Sequence, residues 1–426
     1  MPSRQPCRCE LRLLEDTRNL QGFADCAGYA GKDLPREICA IWVLCGELRE
    51  LPPDPGRGSR TCGPFSWPAE LMSQVHFPMT TSGSHLPAFR VREATPEDNE
   101  ALLALDRQCV VAAATPVAFD RSPDFFARSQ PYPHWRTYVA EADSHLIGIG
   151  AMALKPVLVA GLPVQAAYFY DLRVAPDFRR QGIAKAVGDA IRAHTRSLNP
   201  AIGYSLVMEG NVASLSFVQD RGSRALRSCV LRLFRVEHIP VADPGRLRPR
   251  GNGEAESVFR LVQEAHSEHD LFPFTDVASF HDRRRRLSGF GFCGLYGWDA
   301  GGALAGCMGL WDYSPVMRMR ILEPMGEFSW AAGRDLHLVF LMPLGFRGTD
   351  GLAEAVRLAA ARLRQDPAPA AVRVLAVPQD LADPAYAVLD QFPSVQLRFT
   401  LFGLDLRGAG AGSLGDRLVF IDPADL

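Results

Sequence analysis

Near its start the sequence has no apolar run long enough to cross a bilayer. The longest there, Ile38 to Cys45, is about eight residues, against roughly 20 for a spanning helix. A surplus of one charge is also missing: 46 Lys plus Arg stand against 48 Asp plus Glu, a formal net charge of -2. Bulk electrostatics therefore call for neither a nucleic-acid nor a membrane partner. The opening residues include Arg4, Arg8 and Glu10 with no apolar core behind them, so no secretory signal is read and the cytoplasm is the expected location. Ten cysteines occur without a Cys-x-x-Cys pair, Cys7-x-Cys9 being the nearest approach. Zinc wants such pairs and a disulfide framework wants an export route, so neither is expected.

What is present is the composition of a soluble globular protein, 47% hydrophobic and 22% charged over 426 residues. At roughly 150 residues per domain that length gives two or three domains. The first stretch, residues 1–86, holds Cys7, Cys9, Cys26, Cys39, Cys45 and Cys62, and is broken by Pro52, Pro53, Pro55, Gly56, Gly58 and Gly63. It reads as an irregular or disordered extension. Met72 and Met79 offer internal starts, so the expectation includes a start placed too early.

From Phe89 the pattern becomes regular. Phe89 to Arg92 alternates as a strand, and Thr95-Pro96-Glu97-Asp98 opens a helix in a capping-box-like arrangement. Residues 137–141 and 146–154 read as strands about a polar turn, with Gly148 and Gly150 implying close backbone approach or a bulge. A third strand spans 166–174. It runs into Ala175-Pro176-Asp177-Phe178-Arg179-Arg180-Gln181-Gly182 and then a helix with Ile183, Val187 and Ile191 on one face. A strand that ends in a basic, glycine-bearing loop and turns into a helix is built to hold phosphate. The first helical N–H groups lack intrahelical partners and the helix dipole adds to their pull. The Walker alternative fails for want of Gly-Lys-Ser/Thr, and the dinucleotide glycine fingerprint fails on spacing.

Arg179-x-x-Gly182-x-Ala184 resembles the signature of the GNAT acyltransferase superfamily, Arg/Gln-x-x-Gly-x-Gly/Ala after a strand. The context agrees: an apolar strand at 202–208 leads to Asn211, a helix ends near Gly222, and a hairpin-like 223–236 closes the unit. The resemblance implies an α/β fold with a mixed sheet over 87–238 and acyl transfer from acetyl-CoA to an amine in a ternary complex. It implies diphosphate on the backbone N–H groups of Arg180, Gln181, Gly182, Ile183 and Ala184, with charge from Arg179, Arg180 or Lys185. It also implies pantetheine beside Leu172, Arg173 and Val174, with the Val174 N–H facing the thioester carbonyl, and Asn211 as a further cofactor-site residue. The acceptor is a small-molecule amine or a protein amino group; a homo-oligomer is left open.

The sequence departs from the family where many members carry a Tyr seven residues after the Asn. That position is Val218, which donates no proton. Tyr170 and Tyr168 remain as acid/base candidates, with Glu209 weaker. Strand alternation puts both tyrosines on one face with Leu172 and Val174, and Phe169, Asp171 and Arg173 on the other. Asp171 is expected to pair with an arginine. A Tyr-Phe-Tyr strand also serves as plain core packing. Ser223, where the family usually has Phe, weakens the match without touching chemistry.

Residues 239–426 repeat the architecture in degenerate form, giving two acyl-CoA N-acyltransferase-like domains in tandem. Helical 254–266, a hairpin of 293–298 and 303–311, strand 336–342 and helix 352–363 surround Gly345-Phe346-Arg347-Gly348-Thr349-Asp350-Gly351. Here Gly348 replaces Arg179, and Asp350 opposes an anion. Asp380 stands where Asn211 stands in the first half. The Arg283–Arg286 run reads as a solvated helix face. His134 and His337 lack metal-like partners, so no metal is expected. The alternative to an enzyme is an acyl-CoA-binding or sensing module, or a structural pseudo-acetyltransferase.

Overall fold

The computed structural model describes residues 88–426 apart from 112, 241, 323–325, 332, 367–371, 408–413 and 415. The extension read at 1–86, with its six cysteines and two internal methionines, lies outside the described residues. The first half supplies β1 (Arg90–Glu93), β2 (Val117–Asp120), β3 (His134–Ala142), β4 (His145–Val159), β5 (Leu162–Val174), β6 (Ile202–Met208) and β7 (Arg224–Arg235). Its helices are α1 (Asn99–Gln108), α2 (Ile183–Leu198) and α3 (Val212–Asp220). The second half supplies β8 (Arg248–Pro249), β9 (His269–Asp270), β10 (Phe292–Ala300), β11 (Ala303–Asp312), β12 (Arg318–Ile321), β13 (Asp335–Phe346), β14 (Val372–Asp380), β15 (Val395–Asp405) and β16 (Leu418–Val419). Its helices are α4 (Ala255–Ala265), α5 (Val277–Leu287) and α6 (Gly348–Gln365).

Twelve of these strands follow one another as β1-β3-β4-β5-β6-β15-β7-β14-β13-β11-β10-β8. The pairs β5–β6 and β13–β14 are parallel; the other neighbours are antiparallel. The mixed α/β class read from the sequence is the class observed. The hairpin read at 223–236 is not: β7 is one continuous strand. No turn residue interrupts Arg224 to Arg235, and both its edges are occupied, one by β15 and the other by β14. The strand β15, from the end of the chain, thus lies between β6 and β7 of the first half.

Local chemistry explains the elements that frame the site. The Thr95 N–H donates to Asp98 at 2.7 Å, and Arg92 pairs with the same carboxylate at 2.7 Å, fixing the entry to α1. On α2, Ile183, Val187 and Ile191 are buried along one face, each contributing about 1.5–3 kcal/mol by leaving water. They press onto β4 where it carries Gly148 and Gly150. A Cβ at Gly148 would stand 2.6 Å from Ile183, and one at Gly150 2.9 Å from both Val187 and Ile191. These two glycines therefore let the helix approach the sheet.

In the second half, β10 and β11 turn about Gly301 and Gly302, both at positive φ. The helix α6 buries Leu352, Val356, Leu358 and an alanine series. The arginine run is only partly solvated, correcting the reading of a wholly exposed face. Arg285 and Arg286 pair with Asp282, but Arg283 is buried and donates to Asp422 at 3.0 Å. One residue in each turn of α5 must face inward, and Phe280, Arg283 and Leu287 occupy that stripe. Among the described residues no helix is long and apolar enough to cross a membrane.

Candidate active site

The parallel pair β5–β6 is short. It joins Ala166, Ala167 and Tyr168 to Ile202, Gly203 and Tyr204, and beyond Tyr168 the strands part. The gap opens into a cavity of about 250 Å3 that runs through the sheet. On the α2 side it is walled by Phe169, Leu172, Gly188, Ile191, Phe217 and Arg221. On the opposite side stand Tyr168, Tyr170, Arg128, Met208, Met317 and Asp425. The interleaved β15 contributes Phe399 and Leu404, with Leu406 just beyond it.

A bulge on β5 changes which side chains share a face. Ile149 faces Arg173 and Ala151 faces Tyr170, so Asp171 and Leu172 together oppose the single residue Gly150. Asp171 takes φ +57° to make this possible. As a result Leu172 and Val174 pack with Phe169 against α2, while Asp171 and Arg173 lie on the side of the tyrosines. This corrects the strict alternation expected from the sequence. Asp171 does pair with arginine, accepting from Arg121 at 2.7 and 2.8 Å and from Arg128 at 2.5 Å. Burial pushes its carboxyl upward, but the two guanidiniums outweigh that and leave it below the ordinary value.

The loop after β5 is open. Arg179, Arg180, Gly182 and Lys185 are exposed, while Gln181 and Ala184 are half-buried and Ile183 is buried. Gly182 sits at φ +79°, where a side chain would be strained, and a Cβ there would meet nothing within 4 Å. Its carbonyl accepts the first helical bond, from Ala186 at 3.0 Å. The N–H groups of Ile183, Ala184 and Lys185 precede that bond and have no intrahelical acceptor. Lys185 pairs with Asp189 at 2.8 Å on the surface. Val174 turns its backbone away from β4: the next residue, Ala175, donates to Ile147, and the Val174 carbonyl accepts from Arg179 Nε at 3.3 Å.

Of the residues singled out from the sequence, Tyr168, Tyr170, Leu172, Arg173 and Asn211 line the cavity. Val174 and Arg179 to Lys185 do not line its enclosed part; the first α2 residue that does is Gly188. Asn211 caps α3, accepting from the Ser214 N–H at 3.1 Å. Val218 lines the cavity and Glu209 is exposed outside it. The two tyrosines are stacked 5.0 Å apart and buried. Tyr170 shares a hydrogen bond with Ser129 at 2.8 Å, and Tyr168 donates to the Asp425 carbonyl. Burial raises the pKa of both phenols, so both stay protonated at neutral pH.

Sequence reading missed the polar network beneath them. Lys155 donates to Asp425 at 2.7 Å and to Asp422 at 3.0 Å; Tyr204 and Tyr132 also donate to Asp425, at 2.7 and 2.9 Å. These partners are separated by up to 293 positions, and no local pattern connects them. Among the described residues no cluster of three or more His, Cys, Asp and Glu is arranged to hold a metal.

The mixed sheet, parted between two parallel strands beside a glycine-led helix start, is a fold that this chain shares with solved N-acyltransferases. Residues 100–222 match the model of the acetyltransferase (GNAT) family. Its fold is similar to that of Saccharomyces cerevisiae N-myristoyltransferase with bound myristoyl-CoA and inhibitors, at 12% identity and a TM-score of 0.53, covering 86% of this chain and 93% of the other. It is also similar to a tandem GNAT protein from the clavulanic acid biosynthesis pathway, at 16% identity and a TM-score of 0.47, covering 75% and 99%. No curated protein sequence matches the chain.

Proposed function

We propose that this protein transfers an acyl group, acetyl in the first instance, from acyl-CoA to an amine by direct attack within a ternary complex. The observation that carries the reading is one continuous strand. Parted from β6 after Tyr168, β5 turns the Val174 N–H away from β4 and then delivers the chain into the open turn at Gly182. In this reading the diphosphate rests on the N–H groups of the turn and of Ile183 and Ala184, with Arg179, Arg180 and Lys185 adding charge. Pantetheine lies along Leu172 to Val174, as an added strand would. The Val174 N–H holds the oxyanion that develops on the thioester carbonyl.

The amine arrives from the side of the sheet away from α2. It attacks the thioester carbon, the C–S bond breaks, and the proton lost by nitrogen ends on the departing thiolate. Tyr170, with Tyr168, relays that proton, each phenol giving one up as it receives another. No enzyme nucleophile is needed. The location this reading assumes is the cytoplasm, where acetyl-CoA is at hand.

A second reading, an acyl-CoA-binding module without turnover, draws on Val218 in the place of a proton donor and on phenols already bonded to Ser129 and to the Asp425 carbonyl. Two measurements separate them. Calorimetry with CoA tests the site itself, and thiol release from acetyl-CoA with a panel of amines tests turnover. Binding with thiol release supports the enzyme; binding with none supports the module; no binding removes both.

A further inference from the structure

On its α2 side the cavity continues past the residues assigned to the cofactor. Leu172 and Arg173 line it, while Val174 and the turn from Arg179 to Lys185 lie outside its enclosed part. From Leu172 the space runs along β5 to Phe169 and beneath α2 from Gly188 to Thr195. Between those two helical positions α2 rises about 10 Å. Diphosphate on the turn and pantetheine along Leu172 to Val174 leave this arm unused.

The arm is apolar. Phe169 and Leu172 line it from β5, Ile191 from α2, Val207 from β6, and Leu404 and Leu406 from β15 and the segment just beyond it. Its polar neighbours are engaged elsewhere. The Thr195 hydroxyl donates to the Ile191 carbonyl at 2.8 Å. The Arg221 guanidinium stacks 4.0 Å from the centre of the Phe217 ring and donates to the Lys185 carbonyl at 2.9 Å. Water finds few partners in such a space, whereas an alkyl chain needs none. The arm also has an end. A Cβ at Gly203 would stand 2.7 Å from the Phe169 ring and 3.2 Å from Leu406, so this glycine lets both side chains settle over β6. They close the space where β5 and β6 are still paired, Ala167 facing Gly203.

We propose that this arm takes the acyl chain of the donor, and that its length selects a medium-chain acyl-CoA of about eight carbons over acetyl-CoA. This rests on the acyl-CoA reading of the site and deepens it. An extended alkyl chain built from bonds of about 1.5 Å advances about 1.3 Å per carbon, so an arm of about 10 Å admits seven or eight of them. An acetyl group would leave the arm unfilled, while each further methylene that enters it leaves water. The chain makes the same contacts before and during transfer, so its effect falls on Kd and KM rather than on kcat.

Titration calorimetry with CoA, acetyl-CoA, hexanoyl-CoA, octanoyl-CoA and palmitoyl-CoA, each below its micelle concentration, tests this without an acceptor. The dissociation constant is expected to fall roughly threefold per added methylene from acetyl to octanoyl, and no further at palmitoyl. Phe169→Ala, which opens the end of the arm, is expected to move the optimum to a longer chain, dodecanoyl over octanoyl. Leu406→Ala is measured beside it, in case loss of the ring unseats α2, and is expected to move the optimum the same way. Equal constants for CoA, acetyl-CoA and octanoyl-CoA overturn the chain proposal and leave the acyl-CoA reading standing. So does a gain that continues undiminished to palmitoyl, which marks adsorption to an open surface, or an optimum unmoved in both folded variants. No heat with any of the five overturns the acyl-CoA reading itself.

Discussion

Lys155 on β4 places its ammonium 2.7 Å from Asp425, 270 residues further along the chain. It is one of only three lysines in the sequence, with Lys32 and Lys185, and it is 3% exposed. With Arg283 it neutralises Asp422 and Asp425 and so ties the segment after β16 under the parted strands. Lys155→Met would leave those carboxylates with one cation between them, costing about 3–5 kcal/mol of folding stability. Chemical denaturation measures this. A loss below about 1 kcal/mol, the range of a surface pair, would show that the contact is not the anchor.

Gly182 tests the diphosphate turn with little risk to the fold. A methyl group there meets no neighbour, yet φ +79° strains any residue with a Cβ, by about 1–2 kcal/mol. Gly182→Ala is expected to weaken CoA binding by roughly tenfold while the melting temperature falls only modestly. Titration calorimetry gives the first quantity and a thermal scan the second. An unchanged dissociation constant would remove the turn from the binding site.

Tyr170→Phe deletes one hydroxyl and leaves the stacked ring. Losing the bond to Ser129 costs about 1 kcal/mol of stability. If the phenol relays the proton, turnover falls on the order of a hundredfold with KM for acetyl-CoA little changed. Full turnover alongside the same stability loss would assign the residue to packing, and Tyr168→Phe would then be the variant to examine.

His266 sets a pH dependence far from the cleft. It is buried, bonded through Nε2 to the Leu344 carbonyl at 2.9 Å, and burial pulls its pKa down to about 3 from 6.5. The unfolded chain takes up a proton below pH 6.5 that the folded chain refuses, so stability is complete above that pH. It falls between 6.5 and about 3, by about 1.4 kcal/mol per unit at most. His266→Phe should flatten this slope in denaturation midpoints measured across that range. A slope unchanged by the substitution would place its origin elsewhere.

The strand, turn and helix from Ala166 to Leu198 were legible because each piece is signalled locally: apolar alternation, a glycine at a positive φ, and an apolar stripe at helical spacing. Gly148 and Gly150 were legible in the same way, as places where something approaches. Gly150 signalled a possible bulge, but nothing local showed that the extra residue lies on the facing strand, at Asp171, because an aspartate accepts φ +57° without a glycine or proline beside it. Nor was the inward turn of Arg283 legible, because four consecutive arginines look alike until a helix gives each its own direction. The hairpin read over 223–236 failed for a third reason. Nothing in β7 says that its two neighbours, β15 and β14, come from 137 or more residues downstream.

The position of β15 also sets an order of events during synthesis. While the ribosome is still making the second half, β6 and β7 have no strand between them, and the wall bearing Phe399 and Leu404 does not exist. The nascent first half must wait with two bare sheet edges, prone to pairing with the wrong chain, until its late partner emerges. On the proposed reading, capacity to bind acyl-CoA should therefore arise only once β15 has been made rather than accumulate as the first half is made.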